Sequence, residues 1–246
     1  SYFNSYKSRK LFIKLLGDNL SGTITRHGGI PSTVFAEEVF IANTCDKEFD
    51  HKFNKKNFLT RYGGIKAKNV SSALIGLYDQ STFTSRFRTG MTRWQFLNEY
   101  IPDQKRLFEL SKKNDYLQNL IYREPGRSSK SYLQTFNDAK KDSNINIRQS
   151  LSEHGLMVVT YDSSLPLFLV ANDIPFFLFW RKEHWPFWSL DKYKFLKQSG
   201  LYHESPETLH KSLSEFFLGG PTGWRNKYNL AATQYKNFLR SIYVDQ

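Results

Sequence analysis

Five consecutive residues, Thr160-Tyr161-Asp162-Ser163-Ser164, are the sharpest chemical candidate in this chain of 246 residues. The apolar run Gly155 to Tyr161 ends there, two hydroxyls follow, and a helical pattern begins. Where a parallel strand enters a helix, free N–H groups and the helix dipole favour a phosphate, here beside Thr160, Ser163 and Ser164. A plain helix cap by Asp162 or Ser163 accounts for the same residues. Arg123 directly follows another strand-like run, and its guanidinium could grip a phosphate through two nitrogens. Its bland alternative is an ion pair with Glu124. A third loop, Asp79 to Thr89, carries Ser81, Thr82, Arg86 and Arg88 and reads either as a basic ligand loop or as solvated surface. His27 follows a short strand and precedes Gly28-Gly29, so it is the candidate acid or base. Glu37 and Glu38 could orient it or hold a hydroxyl, although a solvated helix face explains them equally well.

Other chemistries are excluded or left without support. A single Cys45 rules out an intramolecular disulfide framework and a multi-cysteine zinc site. The remaining histidines have no metal-ligand spacing, so no metal is expected. There is no Walker loop and no G-x-G-x-x-G. Phe179-Trp180, Trp185 and Trp188 are aromatic enough to stack a base, with core packing as the default. Lys+Arg 35 against Asp+Glu 23 gives a net charge of +12, which points to an anionic partner: phosphates, nucleic acid or a membrane surface. The basic residues are scattered and carry no RNA or DNA motif, which argues against nucleic acid. No apolar run reaches the length of a transmembrane helix. The chain opens at Ser1-Tyr2-Phe3, in mid-pattern and without an initiating Met, which suggests a fragment or a processed product.

These loops need a scaffold, and 39% hydrophobic with 24% charged residues suits a folded globular chain. Apolar runs at 72–78, 117–122, 155–161 and 175–179 alternate with helical patterns of crossover length. That spacing predicts an α/β fold, with these four runs as parallel neighbours in one sheet and helices on both faces. Further strands are predicted at 57–62 and 145–147. Helices are predicted at 7–16, 33–42, 92–113 (kinked at Pro102), 130–141, 148–153, from Asp162-Ser163-Ser164 to about 171, 190–198 and 228–243. Ser205-Pro206 reads as an N-cap followed by Pro at the first helical position.

Taken in order, the blocks resemble a bacterial surface-polysaccharide family of transferases, known from O-antigen and capsule clusters. They are similar in design to GT-B glycosyltransferases and to capsule and CDP-glycerol transferases. The stretch VVTYDSSLPLFLVANDIPFFLFWRKEHWPF resembles the family's nucleotide-binding region, and RHGGIPSTVFAEEVFIANTCDKEF its His-Gly-Gly segment with paired glutamates. ALIGLYDQST and SKKNDYLQNLIYREPG resemble the next two strands, and GLYHESPETLHKSL with GPTGWRNKYNLAATQYKNFLRSI the final helices. The similarity spans most of residues 22–243.

The resemblance implies a GT-B architecture cut within its amino-terminal half. Residues 1–65 would be the end of an acceptor-side domain and a linker, and 66–246 a Rossmann-like nucleotide-sugar-binding domain. It implies that Arg123, Ser163 and Ser164 meet the donor's phosphates, that His27 is a base or phosphate contact, and that Glu37 and Glu38 match the paired acids. The implied activity moves a sugar or related group from a nucleotide-sugar donor to a surface glycan acceptor, with no cofactor. The implied location is cytoplasmic, with peripheral contact at the inner membrane face. Family members usually carry a Glu in the helix after the serine turn, where this chain has Phe168. Their Thr-Trp-Gly-Trp segment reads Thr60-Arg61-Tyr62-Gly63 here, a tryptophan pair near the end reads Gly223-Trp224, and Pro166 replaces a small residue. These departures leave a second reading, a non-catalytic module of transferase fold that binds nucleic acid, glycan or a protein.

Overall fold

Val, Ile, Leu and Phe runs with no polar alternation belong in strands covered on both faces, and that is where the chain places them. A computed structural model of the chain describes residues 62–78, 92–114, 118–124, 139–144, 146–161, 165–184 and 190–243. Within them six strands form one sheet: β1 (Ala73–Gly76), β2 (Leu120–Arg123), β3 (Lys140–Lys141), β4 (Leu156–Val159), β5 (Phe176–Phe179) and β6 (Tyr202–His203). The order is β3-β2-β1-β4-β5-β6, and every pairing is parallel. β1, β4 and β5 are buried at every residue. The four predicted runs are therefore contiguous parallel neighbours, and the fold is α/β and Rossmann-like. The sheet grows one way from β1 through β2 and β3, and the other way through β4 to β6.

The helices are set by local chemistry. Thr92 Oγ1 accepts from Gln95 N at 3.2 Å, and Gln95 Oε1 accepts from Thr92 N at 2.8 Å, a reciprocal cap. Behind it run a short α-helical segment, Arg93–Gln95, and a π-helical turn, Phe96–Tyr100. They lead straight into α1 (Ile101–Lys112), so Pro102, which has no N–H to give, stands just after the π-helical turn within one helical run. α2 (Ile147–Glu153) is capped by Asn146, whose side chain accepts from Arg148 N. α3 (Leu165–Ala171) and α4 (Leu190–Gln198) follow β4 and β5.

α5 (Pro206–Tyr243) begins at the expected cap, with Ser205 Oγ accepting from Thr208 N at 3.3 Å. It is broken at Gly220, whose φ of 61° and ψ of −169° suit glycine almost alone. Its first half packs on α1, joined by Arg106–Glu207 and Asn114–His210 contacts. Its second half packs on α3, with Lys236 bonded to Asp173. The break lies at the amino edge of the sheet. A Cβ on Gly155, just before β4, would sit 1.9 Å from Val70 O and 2.9 Å from Pro221 Cγ, so this crossing needs glycine.

Several expectations are corrected. In the predicted strand 145–147, Asn146 instead caps α2 and Ile147 opens it, residue 145 lying outside the described residues, and the third strand is the exposed pair Lys140-Lys141. Those two lysines end the predicted helix 130–141, the rest of which, up to 138, lies outside the described residues. Tyr62, the one described residue of the predicted strand 57–62, has helical backbone. A helix begins at the Ser205-Pro206 cap and is broken at Gly220, and the second half of α5 contains the predicted last helix, 228–243, but opens earlier, just after that break. The helices predicted at 7–16 and 33–42 lie outside the described residues.

Candidate functional site

Open parallel sheets take ligands beyond the carboxyl ends of their strands, where the strand order reverses. Here the reversal falls between β1 and β4, with Gly76 level with Val159 and, on its other side, with Arg123. The residues that leave these ends are Leu77-Tyr78, Thr160-Tyr161 and Arg123-Glu124. The chain emerging from β1 leads to Ser81, Thr82 and Arg86, and that from β4 to Ser163 and Ser164. These five, with His27, Glu37, Glu38 and Arg88, lie outside the described residues, as do Trp185 and Trp188.

Thr160 is fully buried. Its hydroxyl donates to Gly76 O at 2.5 Å. That hydrogen is then committed, so the 2.6 Å contact with Tyr100 is a bond donated by Tyr100. Tyr100 in turn accepts from Tyr78 N at 2.7 Å. The relay Tyr78 N–H to Tyr100 to Thr160 to Gly76 O is thus fixed in direction. It ties the end of β1, the end of β4 and the π-helical turn together at the reversal point. Tyr161 is half-buried and tilts against Tyr78, with ring centroids 5.3 Å apart. Burial raises its phenol pKa, while the Arg123 charge pulls the other way.

Arg123 does not pair with Glu124. Its Nη1 donates to Asp142 Oδ2 at 2.5 Å, Asn144 O at 2.6 Å and Ser150 Oγ at 2.9 Å. Ser150 in turn donates to Asp142 Oδ2, and Asn144 N to Asp142 Oδ1. The Asp142 side chain is 2% exposed and that of Arg123 13%. Burial works against the Asp142 carboxylate, yet the bonds from Ser150 and Arg123 prevail and hold its pKa below the usual value. Arg123 therefore sits at the expected edge with one nitrogen tied to its own fold.

The resemblance-based departures also find places. Phe168 packs edge-on against Tyr62 at 5.0 Å, with the Arg148 guanidinium 5.2 Å from its ring. Asn172, one turn on, donates to Tyr62 O and accepts from Ile65 N, which binds residues 62–65 to α3. Pro166 is the second residue of α3, where it costs no bond. Phe179 and Trp180 are core, 1% and 3% exposed.

Sequence reasoning missed Tyr100, Asp142 and Ser150. Tyr100 carried a signal, because a tyrosine buried on the inner stripe of a helix needs a partner for its hydroxyl. Asp142 and Ser150 carried none, since only the fold brings them to Arg123. It also missed a second anchor. Arg181, after β5, grips Asp103 through Nε and Nη2 at 2.7 and 2.8 Å, and buried His184 meets Glu99 at 2.8 Å. Burial lowers the His184 pKa against the pull of Glu99.

A sequence model described as LIC12162 family transferase matches residues 49–236, which include the whole described sheet. No curated protein and no solved structure matches the chain. Among the described residues no helix is long and apolar enough to cross a membrane.

Proposed function

The chain belongs to the LIC12162 family of transferases, and we propose that it moves a sugar or related group from a nucleotide-activated donor to a surface polysaccharide acceptor. The observation that carries this reading is the reversal of strand order between β1 and β4, on the edge that holds Arg123 and leads to Ser163 and Ser164. A nucleotide diphosphate fits a crevice of this kind. In this reading Ser163, Ser164 and the Ser81, Thr82 and Arg86 loop contact the phosphates. Thr160 and Tyr100 shape the crevice from below. Arg123 adds its positive field while Asp142 holds it in place.

Group transfer needs a base at the acceptor hydroxyl and charge stabilisation at the leaving phosphate. His27 is assigned the first role, with Glu37 and Glu38 orienting it or the acceptor, and the basic loops take the second. The reaction as proposed requires no cofactor, and the donor is the substrate. Work on an inner-membrane glycan would be done from the cytoplasmic side, where the +12 charge suits peripheral contact with anionic lipid.

The test is a thermal-shift and calorimetry panel over CMP, CDP, UDP, GDP and their sugars. A true donor at 100 times its Kd should stabilise the protein by about 2.7 kcal/mol. If no nucleotide binds and oligonucleotides bind in a salt-sensitive way, the transferase reading fails and the binding-module reading replaces it.

A further inference from the structure

From Tyr100 at the crevice floor, α1 leads to a second feature of the same sheet edge. Asp103 holds Arg181 by two bonds. One turn on, Arg106 gives its Nε to Glu207 at 3.0 Å. Beside these pairs opens a cleft of about 370 Å³, lined by Asp103, Arg106, Arg181, Glu183, Glu204 and Glu207. We propose that this cleft holds a sugar ring through its hydroxyl groups, and for the source of that sugar the proposal rests on the donor reading above.

The lining selects the ligand chemistry. Four carboxylates face two guanidiniums, so a phosphate or another anion would be repelled. Among the described residues no three carboxylates or imidazoles are grouped to hold a metal ion. Ser205 and Pro206 complete the lining, so charged groups stand beside apolar surface, a mixture that suits the hydroxyls and C–H faces of a sugar. Unused bonding capacity of both kinds remains. Among the described residues nothing is bonded to Arg181 Nη1, to Arg106 Nη1 and Nη2, or to the Glu183 carboxylate. A hydroxyl both donates and accepts, so each sugar hydroxyl can bridge a carboxylate and a guanidinium, which water-sized or singly charged ligands use less fully.

The frame is already set. Arg181 is fixed bidentately before any ligand arrives, and His184 on Glu99 anchors the same short segment. The volume lies in the range of small-ligand sites, about 300–1,000 Å³. Along the helix axis, Asp103 and Arg106 lie about 5 and 9 Å from Tyr100 at 1.5 Å per residue. In this proposal a diphosphate over the crevice extends its sugar towards the cleft.

The variants are Glu183→Ala with Arg106→Ala, which leave Arg181, Asp103 and the crevice untouched. Arg106 and Glu207 form an exposed pair, so the melting temperature should barely move. Calorimetry would compare UDP-glucose, UDP-N-acetylglucosamine and GDP-mannose with UDP and GDP. The expected result is a loss of about 10–100-fold for the sugar nucleotide that binds, with the free nucleotide unchanged. Equal affinities in wild type and variant for sugar nucleotides, together with unchanged free-saccharide binding, would overturn the proposal.

Saturation-transfer NMR with free glucose, galactose, mannose, rhamnose and N-acetylglucosamine separates the remaining cases. Transfer seen in wild type and lost in the variant supports the cleft even if no nucleotide binds, in which case it is the donor reading that fails. The same loss with unchanged sugar-nucleotide affinity assigns the cleft to the acceptor's sugar. No saccharide signal and no sugar-dependent gain over the free nucleotide in wild type would also overturn it.

Discussion

Arg123 is held by Asp142, Asn144 and Ser150, so its removal should be felt in the fold before it is felt by a ligand. Arg123→Ala strands a carboxylate that is 2% exposed. The expected cost is about 3–5 kcal/mol in urea unfolding, the scale for breaking a buried pair. Adding Asp142→Asn should recover part of it, because the stranded charge is gone. A cost under about 1 kcal/mol would show that the pair is weak and free the guanidinium for phosphate. Tyr100→Phe tests the relay. It leaves the Tyr78 N–H without its acceptor and Thr160 without its donor, at a cost of about 1–3 kcal/mol by the same measurement. Donor binding, where the panel finds it, should weaken as well, since Tyr78 opens the loop beyond β1.

α5 is the element whose course depends most on one residue. Gly220 lies in a backbone region that side chains with a Cβ avoid, and Ser71 Oγ would lie 3.4 Å from an added Cβ. Gly220→Ala should therefore cost about 1–3 kcal/mol in chemical unfolding. The loss should come with faster hydrogen exchange in the half of α5 after Pro221. Gly219, next to it, has open space where a Cβ would go, so Gly219→Ala is the control and should be neutral or slightly stabilising. If both behave alike, the break is not held by Gly220.

The whole molecule carries an acid sensitivity of its own. His203 on β6 is 7% exposed, packs edge-on against Phe177, and has an Nε2 with no partner among the described residues. Burial drives its pKa from the ordinary value of 6.5 down to about 4, while Glu215 and a bond to the Gly200 backbone resist. The unfolded chain then binds the proton more readily than the folded one between these values. Stability is full above about pH 6.5 and falls as pH drops towards 4, by up to about 3 kcal/mol. Burial shifts His184 in the same direction. Urea midpoints measured from pH 7 to 4 should fall, and His203→Gln should flatten the curve even if it lowers stability at pH 7. An equal slope in the variant would remove His203 as a source.

How far the sequence could be read follows from the range of the forces involved. β1, β4 and β5 were legible because a strand buried on both faces shows an unbroken apolar run whatever its neighbours are, and β2 was legible from its shorter apolar run although alternate residues are only half-buried. The cap at Ser205 is local chemistry and lies where the sequence puts it. Lys140-Lys141 was illegible as a strand, because two exposed lysines owe their pairing to β2 and to nothing in their own composition. The Gly219-Gly220-Pro221 breakers act where they stand, since α5 is broken at Gly220, but the sequence did not show that the two halves would pack on α1 and α3. At the candidate site, the sequence marked which strand ends carry hydroxyls and basic groups, because loop composition is local. It could not reveal that Asp142 and Ser150 would claim Arg123 from 19 and 27 residues away. Nor could it show that Tyr100, 60 residues from Thr160, would close the relay, because such pairings exist only once the sheet has brought their strands together.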